Sequence, residues 1–141
     1  MVRDIAFQVQ DVQFTLKNKQ VIRQWIAEVA ANEGFSIAPI NYIFCSDAHL
    51  LDMNKQFLNH NYFTDIITFD YTDGKRLSGD IFISIDRVAD NAKTYKTTFK
   101  IELHRVIIHG VLHLMGYKDK TPADEKKMRS RENGALKLLV L

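Results

Sequence analysis

The 141-residue sequence predicts an α+β fold, with about four strands in a mixed sheet packed against about five helices. Three observations carry this reading. Short apolar runs of strand length occur at 5–9, 38–45, 66–71 and 78–84. Between and after them lie stretches with helical apolar spacing or helix-capping residues. The hydrophobic content of 46% is ordinary for a globular chain, and no repeat, low-complexity tract or Pro/Gly/Ser linker interrupts it. One core, and one domain over 1–141, is the expectation.

Ile-Ala-Phe-Gln-Val at 5–9 reads as a short first strand. From Asn18 to about Glu33, Val21, Ile22, Trp25, Ile26 and Val29 share one helical face, and Gly34 is a natural C-terminal stop. Residues 38–45 read as a buried strand. Ser46 or Asp47 then caps a helix running to about Leu58. The run Ile-Ile-Thr-Phe-Asp-Tyr at 66–71 and the strand at about 78–84 are joined through Asp73-Gly74 as a hairpin-like pair. A helix at about 85–95 follows. Between about Thr98 and Met115, Leu103, Val106, Ile107, Val111, Leu112 and Leu114 give wide apolar coverage, as in a largely buried helix that Gly116 ends. Thr121-Pro122 reads as an N-cap with Pro at the first helical position. Asp124 and Glu125 suit that helix's dipole, and Met128, Ala135, Leu138 and Leu139 form its inner face.

Composition excludes little by itself. Nineteen Lys and Arg against seventeen Asp and Glu give a net charge of +2, which permits nucleic-acid binding without arguing for it. Cys45 has no partner for an internal disulfide, sits in an apolar run, and reads as a small buried hydrophobe in a reducing compartment. The opening residues lack the charged and apolar regions of a signal peptide, and no segment approaches the roughly 20 apolar residues of a membrane span. The expectation is a cytoplasmic protein with no membrane partner. A chain of this size folds without a structural metal, so a metal site here is read as functional.

The chemistry concentrates in the stretch from His109 to Lys120. His109 and His113 are four apart on a predicted helix, so both imidazoles leave one face and can converge on a single ion. Gly116 permits a positive φ and a sharp turn, and three residues later Asp119 offers a carboxylate that the turn brings back. Two His and one carboxylate with an open position for water form a catalytic zinc set. The spacing H-x-x-x-H-x-x-G-x-x-D matches the metzincin ligands and turn glycine, but Gly110 stands where those peptidases carry the general-base Glu. A pair of satisfied core histidines is the bland alternative, and the turn glycine with its following carboxylate weighs against it. His104 lies five residues before His109, about 140° around the helix, and is left out of the site. His49 and His60 are read as surface or loop residues.

His109-Gly-Val-Leu-His113-Leu-Met-Gly116-Tyr117 resembles the signature HGxLHLxGYxH of YbeY-type endoribonucleases, the bacterial rRNA maturation factors. Upstream, Asn54 and Phe57 resemble the family's L-N-x-x-Y-R helix, Thr64-Asp65-Ile66-Ile67-Thr68-Phe69 resembles T-[ND]-V-L-S-F, and Gly79-Asp80-Ile81 resembles its G-D-I strand. Asp124-Glu125, Met128 and Glu132 fall where the family has its final acidic helix. The resemblance implies a metal-dependent endoribonuclease acting on single-stranded RNA, in 16S rRNA 3′-end maturation and ribosome quality control, with the ribosome or its small subunit as partner. It also puts Asp119 at the family's third histidine and Leu58 at an arginine thought to act on the phosphate. The expected ligand set is therefore His109, His113 and Asp119, for one divalent ion. Zinc is the first choice, with manganese or nickel as alternatives. Lys118 and Lys120 are the candidate substrate-binding cations, and the general base is unassigned. Oligomeric state is not readable. The rival functions are a metallopeptidase, and a non-catalytic metal-containing ribosome-assembly or RNA-binding factor.

Overall fold

The computed structural model describes residues 4–59 and 63–141, so His60 lies outside the described residues. Its strands β1 (Ile5–Val9), β2 (Ser36–Cys45), β3 (Ile66–Asp70) and β4 (Arg76–Ser84) form one sheet in the order β1-β2-β4-β3. β1, β2 and β4 run parallel, and β3 pairs antiparallel with β4. The helices are α1 (Lys19–Asn32), α2 (Asp47–Phe57), α3 (Ile85–Thr94), α4 (Phe99–Leu114) and α5 (Pro122–Leu138). The fold is α+β with a mixed four-stranded sheet, and the hairpin expected at β3 and β4 is present.

The caps explain the boundaries. Ser46, Ser84, Thr98 and Thr121 each accept a backbone N–H in the first turn of α2, α3, α4 and α5. Asn18 behaves differently: it stands left-handed before α1 with no side-chain cap, so that helix begins at Lys19. β2 starts at Ser36, two residues before its apolar run. Pro39 breaks the alternation there, and the β2–β4 register shifts between Ile37 and Ile40. The carbonyl of Pro39 accepts from the Ser78 hydroxyl at 2.7 Å.

Pleating divides the core between two faces. Ile40, Tyr42 and Phe44 of β2 with Ile81 and Ile83 of β4 belong to the larger cluster, closed by α1, α4 and α5. Cys45, Ile67 and residues Leu50 and Met53 of α2 form a smaller cluster. Cys45 is buried, as expected, and burial first, then Asp11, Asp86 and Asp47, push its thiol up to about 12. Two hydrogen bonds fix helices to the rest: Trp25 Nε1 donates to the Ala135 carbonyl at 2.7 Å, and the Tyr42 hydroxyl donates to the Ile107 carbonyl at 2.8 Å.

His104 is buried edge-on against Trp25, clear of the other α4 histidines. Burial, reinforced by Lys100, lowers its pKa to about 4. The folded state therefore refuses a proton that the unfolded chain takes up below about 6.5. Stability contributed at this site is full above that value, falls as the pH drops, and levels off below about 4. At pH 5 the loss is about 2 kcal/mol. Urea unfolding at pH 7 and pH 5 should show a smaller acid-induced loss for His104→Phe than for the wild type. Equal losses would place the protonation elsewhere.

Candidate metal centre

α4 lies against the sheet at Gly110. A Cβ there would stand 3.0 Å from two side-chain carbons of Ile81 and 3.2 Å from Ile66. Position 110 thus faces the strands. His109 and His113 emerge beside it, partly exposed, with ring centroids 4.5 Å apart and planes at 83°.

The turn after the helix completes the group. Gly116 takes φ 102°, its N–H reaching the His113 carbonyl at 3.0 Å while the Tyr117 N–H reaches Leu112 at 3.1 Å. This is a Schellman closure, which needs a left-handed residue at that point. It also turns the Tyr117 carbonyl onto His113 Nδ1, which donates to it at 3.0 Å. Asp119 follows, its Oδ2 lying 3.3 Å from His109 Nε2 and 3.4 Å from His113 Nε2. One ligand atom from each of these residues lies within 4.8 Å of the others. Ligands at about 2.1 Å in a tetrahedral set stand about 3.4 Å apart, so the group fits one zinc-sized ion.

Both ring tautomers follow from their partners. His113 Nδ1 faces a carbonyl and His109 Nδ1 faces the Glu132 carboxylate at 2.6 Å, so each Nδ1 carries the proton and each Nε2 presents its lone pair. Glu132, only 4% exposed, also accepts from Arg105 at 3.0 Å. Burial works to raise the Glu132 pKa, but its hydrogen bonds to His109 and Arg105 bring it below the usual carboxylate range. For His109, burial pulls downward, yet the bond to Glu132 and the nearby Asp65 and Asp119 hold it above its ordinary value. His113 is pushed down by burial and by His109.

Beside a small hollow of about 120 Å³ bordering His109, two large open clefts meet at this group. One, about 760 Å³, is lined by His113, Asp119, Lys120, Asp65, Thr64 and Leu58, among others. The other, about 540 Å³, includes His109, Asp119, Glu132, Tyr95, Lys126 and Arg129. His109 and Asp119 border both. Lys120 stands on the first cleft. Lys118 borders a separate hollow beside Tyr117, Asp124 and Lys127. Leu58, the C-cap of α2, lines the first cleft without offering a charge.

The structure brings together His109, His113 and Asp119 from one contiguous stretch. It adds two carboxylates that sequence reasoning left without a role. Glu132 comes from α5, 23 residues beyond His109, and no periodicity links the two. Asp65 stands before β3, raised in pKa chiefly by burial, with its carboxylate accepting from Asn91 at 3.3 Å. His49 is not a loop residue: it sits half-buried in α2, its ring 6.3 Å from that of Phe82.

A family model described as Endoribonuclease YbeY matches residues 4–140. An Endoribonuclease YbeY of Cytophaga hutchinsonii is 53% identical over 135 residues, covering 95% of this chain and 94% of the relative. One from Parabacteroides distasonis is 49% identical, covering 96% and 95%. The solution structure of TM1509 from Thermotoga maritima superposes with a TM-score of 0.65 at 25% identity, covering 94% of this chain and 87% of that one.

Proposed function

The chain belongs to the Endoribonuclease YbeY family, and from that membership we propose that it is a metal-dependent endoribonuclease cutting single-stranded RNA by hydrolysis of a phosphodiester. The observation that carries the reading is the convergence of His109 Nε2, His113 Nε2 and Asp119 Oδ2, with both Nδ1 atoms already committed. A divalent ion held by these three would supply Lewis acidity, lowering the pKa of water and polarising a phosphoryl oxygen. Zinc suits two imidazoles and a carboxylate, while the carboxylate leaves room for manganese or nickel.

The remaining work falls to the chain. Lys120, on the first cleft, offers a cation to the phosphate, in place of the one Leu58 cannot supply. Asp65, held in the same cleft by Asn91, is our assignment for the proton acceptor. Asp65→Asn should keep its metal and lose activity by about a hundredfold or more. Unchanged turnover would remove Asp65 from the mechanism. The RNA we assign is the 3′ region of 16S rRNA, in cytoplasmic ribosome maturation and quality control, with residues 1–141 acting as one hydrolase domain.

The decisive test pairs metal content with cleavage. Natively purified protein should carry about one ion and cut a single-stranded RNA, chelation should abolish the cutting, and Asp119→Ala should lose both. Cleavage that survives chelation would sink the metal-dependent reading. A peptidase finds no support, because position 110 faces Ile81 and Ile66, and casein should remain intact. Leu58 favours one alternative, a non-catalytic RNA-binding factor: stoichiometric metal with no cleavage of any RNA would select it.

A further inference from the structure

An endonuclease substrate continues in both directions from the bond that is cut, and the two clefts that share His109 and Asp119 offer a strand an entry and an exit. The second cleft carries a lysine, Lys126, as the first does, but adds an arginine. The first presents Lys120, a flexible point charge. In the second, the Arg129 guanidinium lies over the Tyr95 ring, 5.8 Å from its centroid. Tyr95 is 58% exposed and the Arg129 side chain 51% exposed, so both stay open to a ligand.

The neighbouring arginine is already engaged. Arg105 donates to Glu132 at 3.0 Å and is largely covered, whereas Arg129 makes only a looser ion pair with the same carboxylate, at 3.9 Å and beyond direct hydrogen-bond range. Arg129 therefore keeps its planar fork for an incoming oxyanion, held in direction by the ring beneath it. A guanidinium beside an exposed aromatic face offers a phosphate contact and a base platform in one place.

We propose that Arg129 and Tyr95 hold the RNA strand in the second cleft, Arg129 on a phosphate flanking the scissile one and Tyr95 beneath an adjoining base. The inference rests on the single-stranded RNA reading above. Both residues are positioning residues, and their loss weakens substrate binding without emptying the metal centre.

The test is fluorescence anisotropy with a fluorescein-labelled, uncleavable 2′-O-methyl oligonucleotide, read across a salt series, with metal content measured on every variant. Arg131, on the same helix but over the Tyr117 ring, is the charge-matched control. Arg129→Gln should bind about tenfold more weakly and flatten the salt slope by about 0.7, the value of one phosphate contact on a single strand. Arg131→Gln should stay within about twofold. Tyr95→Ala should lose about fivefold or more and Tyr95→Phe almost nothing, since the ring face rather than the hydroxyl is used. Equal losses for Arg129→Gln and Arg131→Gln overturn the proposal, as does an Arg129→Gln that binds like wild type or has lost its metal. A wild-type protein that does not bind the oligonucleotide overturns the RNA reading and this inference together. Wild-type binding with an unaffected Arg129→Gln overturns the inference alone.

Discussion

His113→Ala is expected to empty the metal centre and to lower RNA hydrolysis by about a thousandfold or more, equivalent to roughly 4 kcal/mol of transition-state stabilisation. The imidazole is placed by two constraints at once: its helical position beside His109 and the hydrogen bond from Nδ1 to the Tyr117 carbonyl. Removing it leaves His109 and Asp119, a bidentate remnant with too few donors for a tetrahedral ion. The fold should persist, because His113 lies at the partly exposed edge of α4 and the helix closes through backbone bonds of Gly116 and Tyr117. Metal analysis and circular dichroism on the same preparation separate the two effects. A folded His113→Ala protein with a full complement of metal would mean that the ion sits elsewhere.

Glu132→Gln should weaken metal binding by about ten- to a hundredfold with little change in bulk. The carboxylate fixes His109 through Nδ1 and makes its Nε2 more basic, and an amide offers only a neutral acceptor in its place. Glu132→Ala goes further. It leaves Arg105, whose side chain is 17% exposed, without its close partner, a loss of about 3 kcal/mol for a largely buried ion pair. A chelating dye competed against each variant measures the first effect and urea unfolding the second. A Glu132→Gln protein with wild-type metal affinity would reduce Glu132 to a purely structural ion pair.

The parts of the site that sequence reasoning reached are those encoded over short spans. His109, His113, Gly116 and Asp119 lie within two helical turns and the turn that follows, where spacing alone dictates direction. Glu132 and Asp65 reach the same point through packing of α5 and through the start of β3, and pairings of that kind leave no periodic trace. The same distinction holds for the fold. The hairpin of β3 and β4 was readable because one short turn joins its strands, although β4 extends back to Arg76, where the buried Leu77 stands as a single apolar residue between Arg76 and Ser78 rather than as part of a run. The early start of β2 was hidden by Pro39, and the half-buried state of His49 by a contact with a distant strand. Gly110 shows both sides. Its missing carboxylate was visible as a departure from a peptidase pattern, but only the packing of α4 shows that the position faces the sheet.

The Schellman turn at Gly116 also sets how the centre comes together as the chain folds. Asp119 lies only ten positions beyond His109, so closing the three-donor chelate costs little loop entropy once α4 and its turn exist. Glu132 belongs to a later event, the docking of α5, which the bond from Trp25 to Ala135 secures against α1. Affinity for the ion therefore has two tiers, a local chelate and a tightened native one. Sub-denaturing urea that loosens α5 should release metal before the amides of α4 lose their protection from hydrogen exchange.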